Sequence, residues 1–69
     1  MEVKSHLKAI VWKIEKKVGD TVNQDDVIVI LESMKMEIPI ISPTSGKITS
    51  ININEGDEVD EDQCVATVE

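Results

Sequence analysis

The sequence predicts an all-β fold: a flattened β-barrel or sandwich of two small antiparallel sheets with internal quasi-two-fold symmetry. Three observations predict it. The chain is written twice; its apolar residues fall in short runs rich in Val, Ile and Thr between turn residues; and no window carries a helical apolar stripe.

The duplication organises everything else. A shift of 37 positions lays residues 1–32 on residues 38–69 without a gap, so that Gly19, Asp20, Val22, Asp25 and Glu32 fall on Gly56, Asp57, Val59, Asp62 and Glu69. Val3 meets Ile40, Ser5 meets Ser42, Ala9 meets Gly46, Val11 meets Ile48 and Ile14 meets Ile51. Five residues, Ser33, Met34, Lys35, Met36 and Glu37, have no counterpart, and Lys35 is the midpoint of the chain. Residues 1–69 are therefore expected to form one domain, with halves 1–32 and 38–69 joined by a hairpin at 33–37. Neither half is large enough to bury a face alone, but together they can share one core.

Taken in order, strands are expected over Leu7–Ile14, Val27–Leu31, Ile38–Ile41, Lys47–Ile53 and Cys64–Val68. The "GD" pair of each copy supplies a Gly able to take positive φ and an Asp able to bond its own backbone, which suits a turn. Pro43 with Gly46 marks a further bend, matched in the first copy by His6 with Ala9. Val11 and Ile14, like Ile48 and Ile51, are an odd number apart, so a β-bulge is expected between them in both copies. Trp12, aligned with Thr49, is expected to cap the sandwich or lie half exposed near its end. Cys64 aligns with Val27 and is expected to be a small buried core residue. His6 has no second ligand at metal spacing and is expected on the surface.

Composition excludes several function classes. Fourteen acids against seven basic residues give a formal charge of −7, which repels phosphate backbones and anionic lipid heads. Trp12 is the only aromatic residue, so there is no stacking platform for single strands. No nucleic-acid or membrane partner is expected. The lone Cys64 cannot form an internal disulfide, no signal peptide opens the chain and no apolar run could span a bilayer, so a soluble, cytoplasmic, monomeric domain is expected. The acidic stretch Asn52–Asp62 does not read as a calcium loop, because Ile51 and Ile53 stand where carboxylates belong. No nucleophile–base–orienter set and no phosphate-binding Gly loop is present, so an enzyme is not expected.

The unduplicated segment carries the chemistry. Placing Ser33 opposite Met36 makes Met34-Lys35 a two-residue loop, a geometry that normally uses a type I′ turn and favours Asn-Gly. A Met and a Lys held there would each cost on the order of 1–3 kcal/mol, and a local rule broken at that expense points to function. Flexible thioethers on both sides of an exposed amine suit a surface that another protein must grip.

"ESMKMEIPI" (Glu32–Ile40) resembles the attachment motif of biotinyl domains, the carriers of biotin-dependent carboxylases. The two "GD-x-V" turns, "SPTSG" (Ser42–Gly46), and the length and duplication of the chain resemble one complete biotinyl/lipoyl domain. Where many biotinyl domains carry a Pro-Met-Pro-Gly-like stretch, this chain reads "SHLKAI" (Ser5–Ile10), and it lacks any thumb-like insertion between Gly19 and Val27. The resemblance implies a biotin carboxyl carrier in which biotin is joined covalently to Lys35, flanked by Met34 and Met36. A biotin protein ligase would make the amide, and biotin carboxylase and carboxyltransferase would then use the arm. A free lysine side chain is unprotonated at pH 7 only to about one part in a few thousand, so the ligase must supply the base. The alternative is a lipoyl domain bearing lipoate on the same lysine, or dual attachment; lipoyl domains usually show an acid before that lysine and a small residue after it, and Met34 and Met36 favour biotin. A rival from another class is an unmodified β interaction module. The initial Met and the completeness of both copies lean towards a free subunit.

Overall fold

The computed structural model describes residues 1–69 as strands and turns, with no helix. The strands are β1 (Glu2–Lys4), β2 (Ala9–Ile14), β3 (Thr21–Val22), β4 (Val27–Ser33), β5 (Met36–Ile41), β6 (Gly46–Ile51), β7 (Glu58–Val59) and β8 (Cys64–Val68). They form two four-stranded antiparallel sheets, ordered β1-β8-β6-β3 and β5-β4-β2-β7. The 37-position shift carries β2 onto β6 and β3 onto β7 residue for residue. It also carries one sheet onto the other.

The register repeats with the sequence. Val11 lies opposite Leu31 as Ile48 lies opposite Val68, and Ile14 opposite Val29 as Ile51 opposite Ala66. Between these pairs the parity change is a β-bulge, at Trp12 in one copy and at Thr49 in the other. A second pair of register shifts falls at Ile28 and Val65. These place consecutive residues in the core: Ile28 with Val29, and Val65 with Ala66, are all fully buried. They also displace the first residue of each strand, so Cys64 is half-buried rather than part of the core, as is its counterpart Val27. Its thiol donates to the Ala66 carbonyl at 3.4 Å and accepts from Asn52 Nδ2 at 3.5 Å.

The core consists of 14 buried apolar residues. Val3, Val11, Val22, Ile28, Val29 and Leu31 are matched by Ile40, Ile48, Val59, Val65, Ala66 and Val68, while Ala9 has Gly46 as its repeat equivalent and Ile53 stands alone. Burial of this set supplies most of the driving force for folding. Turn chemistry is duplicated as well. Gly19 (φ 95°) and Gly56 (φ 92°) open the two "GD" turns, and each donates its N–H across to the other copy, to Ile48 O and Val11 O, both at 2.8 Å. Asp20 and Asp57 accept from the backbone N–H three residues earlier, at 3.0 and 2.9 Å. Ser5 and Ser42, both fully buried, donate their hydroxyls to Leu7 O and Thr44 O at 2.5 Å. That bend at Ser5–Leu7 is why β2 begins at Ala9 rather than Leu7. At the far end of β6 the strand stops at Ile51, two residues short of Ile53, as the chain enters the second "GD" turn, where Asp57 N donates to Asn54 O at 3.1 Å.

The termini lie side by side: Val68 N donates to Met1 O at 2.9 Å, and Lys47 and Glu69 exchange hydrogen bonds at 2.7 and 2.8 Å. This is the place that the repeat relates to the start of the central hairpin. Gly46 is needed there because a Cβ would stand 2.7 Å from Glu69 O and 3.0 Å from Val68 Cγ1. Gly46→Ala should push the last strand away and lower stability by about 1–3 kcal/mol. Urea denaturation measures the loss, and faster hydrogen exchange at the Lys47 and Glu69 amides locates it.

Candidate functional site

Hairpin β4–β5 is closed in the way its sequence argues against. Ser33 lies opposite Met36, leaving Met34 and Lys35 as a two-residue loop. Their φ values are 53° and 65°, so both central residues take the left-handed conformation that a type I′ turn requires. Local preference would put Asn-Gly here. The pairing of β4 with both β2 and β5 imposes the turn instead, because each residue from Val29 to Ser33 is already committed to a register on at least one side.

Lys35 is exposed, Met34 is 91% exposed and Met36 is 64% exposed. Neither methionine folds back on the core. The backbone under Lys35 is held by six cross-strand pairs, from Val27↔Ile41 to Ser33↔Met36, the last five of them consecutive. The result is a fixed platform bearing a flexible amine, with two soft apolar side chains beside it. An amine so placed can enter another protein's active site and form an amide with an acyl donor held there. Glu32 and Glu37, directly opposite one another across the hairpin, are exposed, and neither forms an ion pair. Like charges facing across a strand pair are destabilising.

The rest of the surface offers no competing centre. No group of three or more His, Cys, Asp or Glu side chains comes together to hold a metal ion. A cleft of about 330 Å³ opens between edge strands β1 and β5, lined by Glu2, Val3, Lys4, His6, Ile41 and Pro43, away from the hairpin. His6 is exposed on its rim. Trp12, in the β2 bulge, is 49% exposed.

A family model described as "Biotin-requiring enzyme", the biotin/lipoyl family, matches residues 2–68. The chain belongs to the biotin/lipoyl attachment family. The Biotin/lipoyl attachment protein of Bacillus subtilis (strain 168) is 41% identical over 61 residues, spanning 88% of this chain and 84% of that protein. The Biotinylated protein TB7.3 homolog of Mycobacterium leprae (strain TN) is 31% identical over 67 residues, spanning 97% of this chain and 94% of that one. Among solved structures, Kluyveromyces lactis urea carboxylase superposes with a TM-score of 0.95 at 32% identity, covering 100% of this chain and 6% of the longer protein. The chain is thus a biotin/lipoyl attachment domain similar to the carrier domains of biotin-dependent carboxylases, and it has the two-sheet sandwich read from its repeat. Biotin or lipoate, held covalently, is the cofactor of the family. No helix is long and apolar enough to cross a membrane.

The hairpin's strain can be measured in this attachment domain. Met34→Asn with Lys35→Gly fits the observed backbone without left-handed penalties at bulky residues and should stabilise the fold by about 1–3 kcal/mol. A raised urea midpoint with an unchanged denaturant slope is the expected result.

Proposed function

We propose that this chain is a biotin carboxyl carrier, that Lys35 is the residue to which biotin is joined, and that Met34 and Met36 form the grip beside it. One observation carries the reading: the amine of a Met-Lys-Met triplet stands exposed on a two-residue loop whose backbone is held in an unfavourable conformation at both positions. Solubility alone does not call for that strain or for two exposed thioethers. The biotinylated relative and the likeness to urea carboxylase support biotin. The name of the Bacillus subtilis relative supports lipoate as a second occupant of the same lysine.

In the attachment step, Lys35 Nζ as its free base attacks the acyl carbon of biotinyl-AMP on a biotin protein ligase. The C–N amide bond forms, the bond from that carbon to the phosphate oxygen breaks, and AMP leaves with the electron pair while the amine's proton passes to a base of the ligase. This chain contributes position: an uncluttered amine on a rigid tip, so that little chain entropy is lost when the ligase binds it. Once bound, biotin supplies a ureido nitrogen able to hold a carboxyl group. The chain then carries that group from biotin carboxylase to carboxyltransferase, as a monomeric domain in the cytoplasm with no catalytic residue of its own.

Intact mass after co-expression with a biotin protein ligase and excess biotin tests the assignment. One biotinoyl increment is expected in the wild type and none in Lys35→Arg. An increment that appears only with a lipoate ligase and lipoate would replace biotin by lipoate. No increment under either would leave an unmodified interaction module.

A further inference from the structure

The repeat provides an internal control for what the fold itself requires. Core positions agree between the copies, but a set of outward positions does not. On the outer face of β5-β4-β2-β7, the sheet that carries the Lys35 hairpin, Ile10 lies opposite Glu32, Ile30 opposite Pro39, Trp12 bulges beside Lys13, and Ile41 ends the edge strand. Ile10 and Trp12 are each 49% exposed and Ile41 is 42% exposed. On the outer face of the other sheet, the same positions are Lys47, Thr67, Glu2, Thr49 and Lys4 in place of Ile10, Ile30, Pro39, Trp12 and Ile41. The fold therefore accepts a polar face at every one of these positions, and the apolar version has another cause. Exposed apolar side chains collected on one face mark an interaction site.

The charge around this patch says what covers it. Lys8 and Lys13, which border it, are each met by a glutamate: Glu58 at 3.9 Å and Glu15 at 3.5 Å. Glu32 and Glu37 oppose each other at the tip end of the patch with no cation between them. A second copy of this chain, with the same paired acids and a formal charge of −7, would add repulsion. A protein with an apolar centre and a Lys or Arg border would relieve it.

We infer that the outer face of β5-β4-β2-β7, centred on Trp12 and Ile30, docks the enzyme that charges the modified Lys35 arm, a biotin carboxylase with an apolar, basic-rimmed surface. This rests on the biotin reading above. The patch runs down the sheet as far as Ile41, six residues from Lys35 or roughly 20 Å at strand rise. Contact that far from the tip suits an enzyme entered by an extended arm, whereas the ligase must take the bare amine into its own site.

The test substitutes what the fold already accepts. Trp12→Thr with Ile30→Thr installs the residues that the other copy carries at Thr49 and Thr67, and circular dichroism and the urea midpoint check that the variant is folded. Wild type, this variant and a Thr49→Ser/Thr67→Ser control are biotinylated by a biotin protein ligase, verified by mass, and assayed as substrates of the biotin carboxylase from the same genome with ATP and bicarbonate. Biotinylation rates are expected to be equal in all three. The KM of the carboxylase for the Trp12/Ile30 variant should rise about tenfold or more, with kcat unchanged. The control should match wild type, and the wild-type KM should rise with ionic strength. An unchanged KM in the Trp12/Ile30 variant overturns the docking face while leaving the carrier function intact. An equal loss in the ligase step assigns the face to the ligase and overturns the proposal. A wild-type chain that takes up no biotin sinks the functional reading and this one with it.

Discussion

Everything in this molecule depends on two half-chains sharing one core. Each sheet takes two strands from each copy: β1 and β3 of the first half flank β8 and β6 of the second, and β5 and β7 of the second flank β4 and β2 of the first. Neither half has a sheet of its own. In a chain of 69 residues, near the lower limit for an unassisted core, this interleaving makes the 14 buried apolar residues of both halves one cluster. It also makes the register reciprocal. A slip in one copy would turn its apolar set outward and empty half of the shared interior.

The same constraint explains a turn that local chemistry would not choose. β4 is a central strand, paired with β2 on one side and β5 on the other, so its end at Ser33 is fixed before the loop is considered. The chain must reverse in two residues at that point, and positive φ at Met34 and Lys35 is the consequence. Strain persists because the surrounding pairs over-determine it. For the carrier proposed above this is useful, because the paired strands hold the tip while the Lys35 side chain stays exposed. On the proposed function, motion confined to one side chain would let two distant active sites be visited without refolding the platform.

Much of this was legible in the sequence because duplication carries long-range information that local propensity lacks. The hairpin at 33–37 follows from five residues without counterparts, and the bulges at Trp12 and Thr49 follow from the odd spacing of Val11 and Ile14 and of Ile48 and Ile51. Three short strands escaped: Glu2–Lys4, Thr21–Val22 and Glu58–Val59. Two or three residues show no periodicity, and such strands exist only because a neighbour's unpaired edge holds them. Cys64 was misplaced for a related reason, since the register shift at Val65 moves it out of the core and leaves no mark in a pattern of alternate residues. The apolar outer face was present in the sequence too. Its signal is disagreement between the copies, at Trp12 against Thr49 and Ile30 against Thr67, whereas the fold is carried by the positions at which they agree.

A shuttle needs contacts that form quickly and release. Uncompensated acids at the tip end, on a chain with a formal charge of −7, accelerate encounter with a basic surface but contribute modestly to residence time. A few half-exposed side chains then add orientation without the wide, fully desolvated centre that makes a complex long-lived. On the proposed function and docking face, enlarging that face would hold the domain at one enzyme and starve the next. The opposite sheet carries Lys4, Lys47, Thr49 and Thr67 at the equivalent positions, so under the docking proposal only one face of the domain carries the attraction.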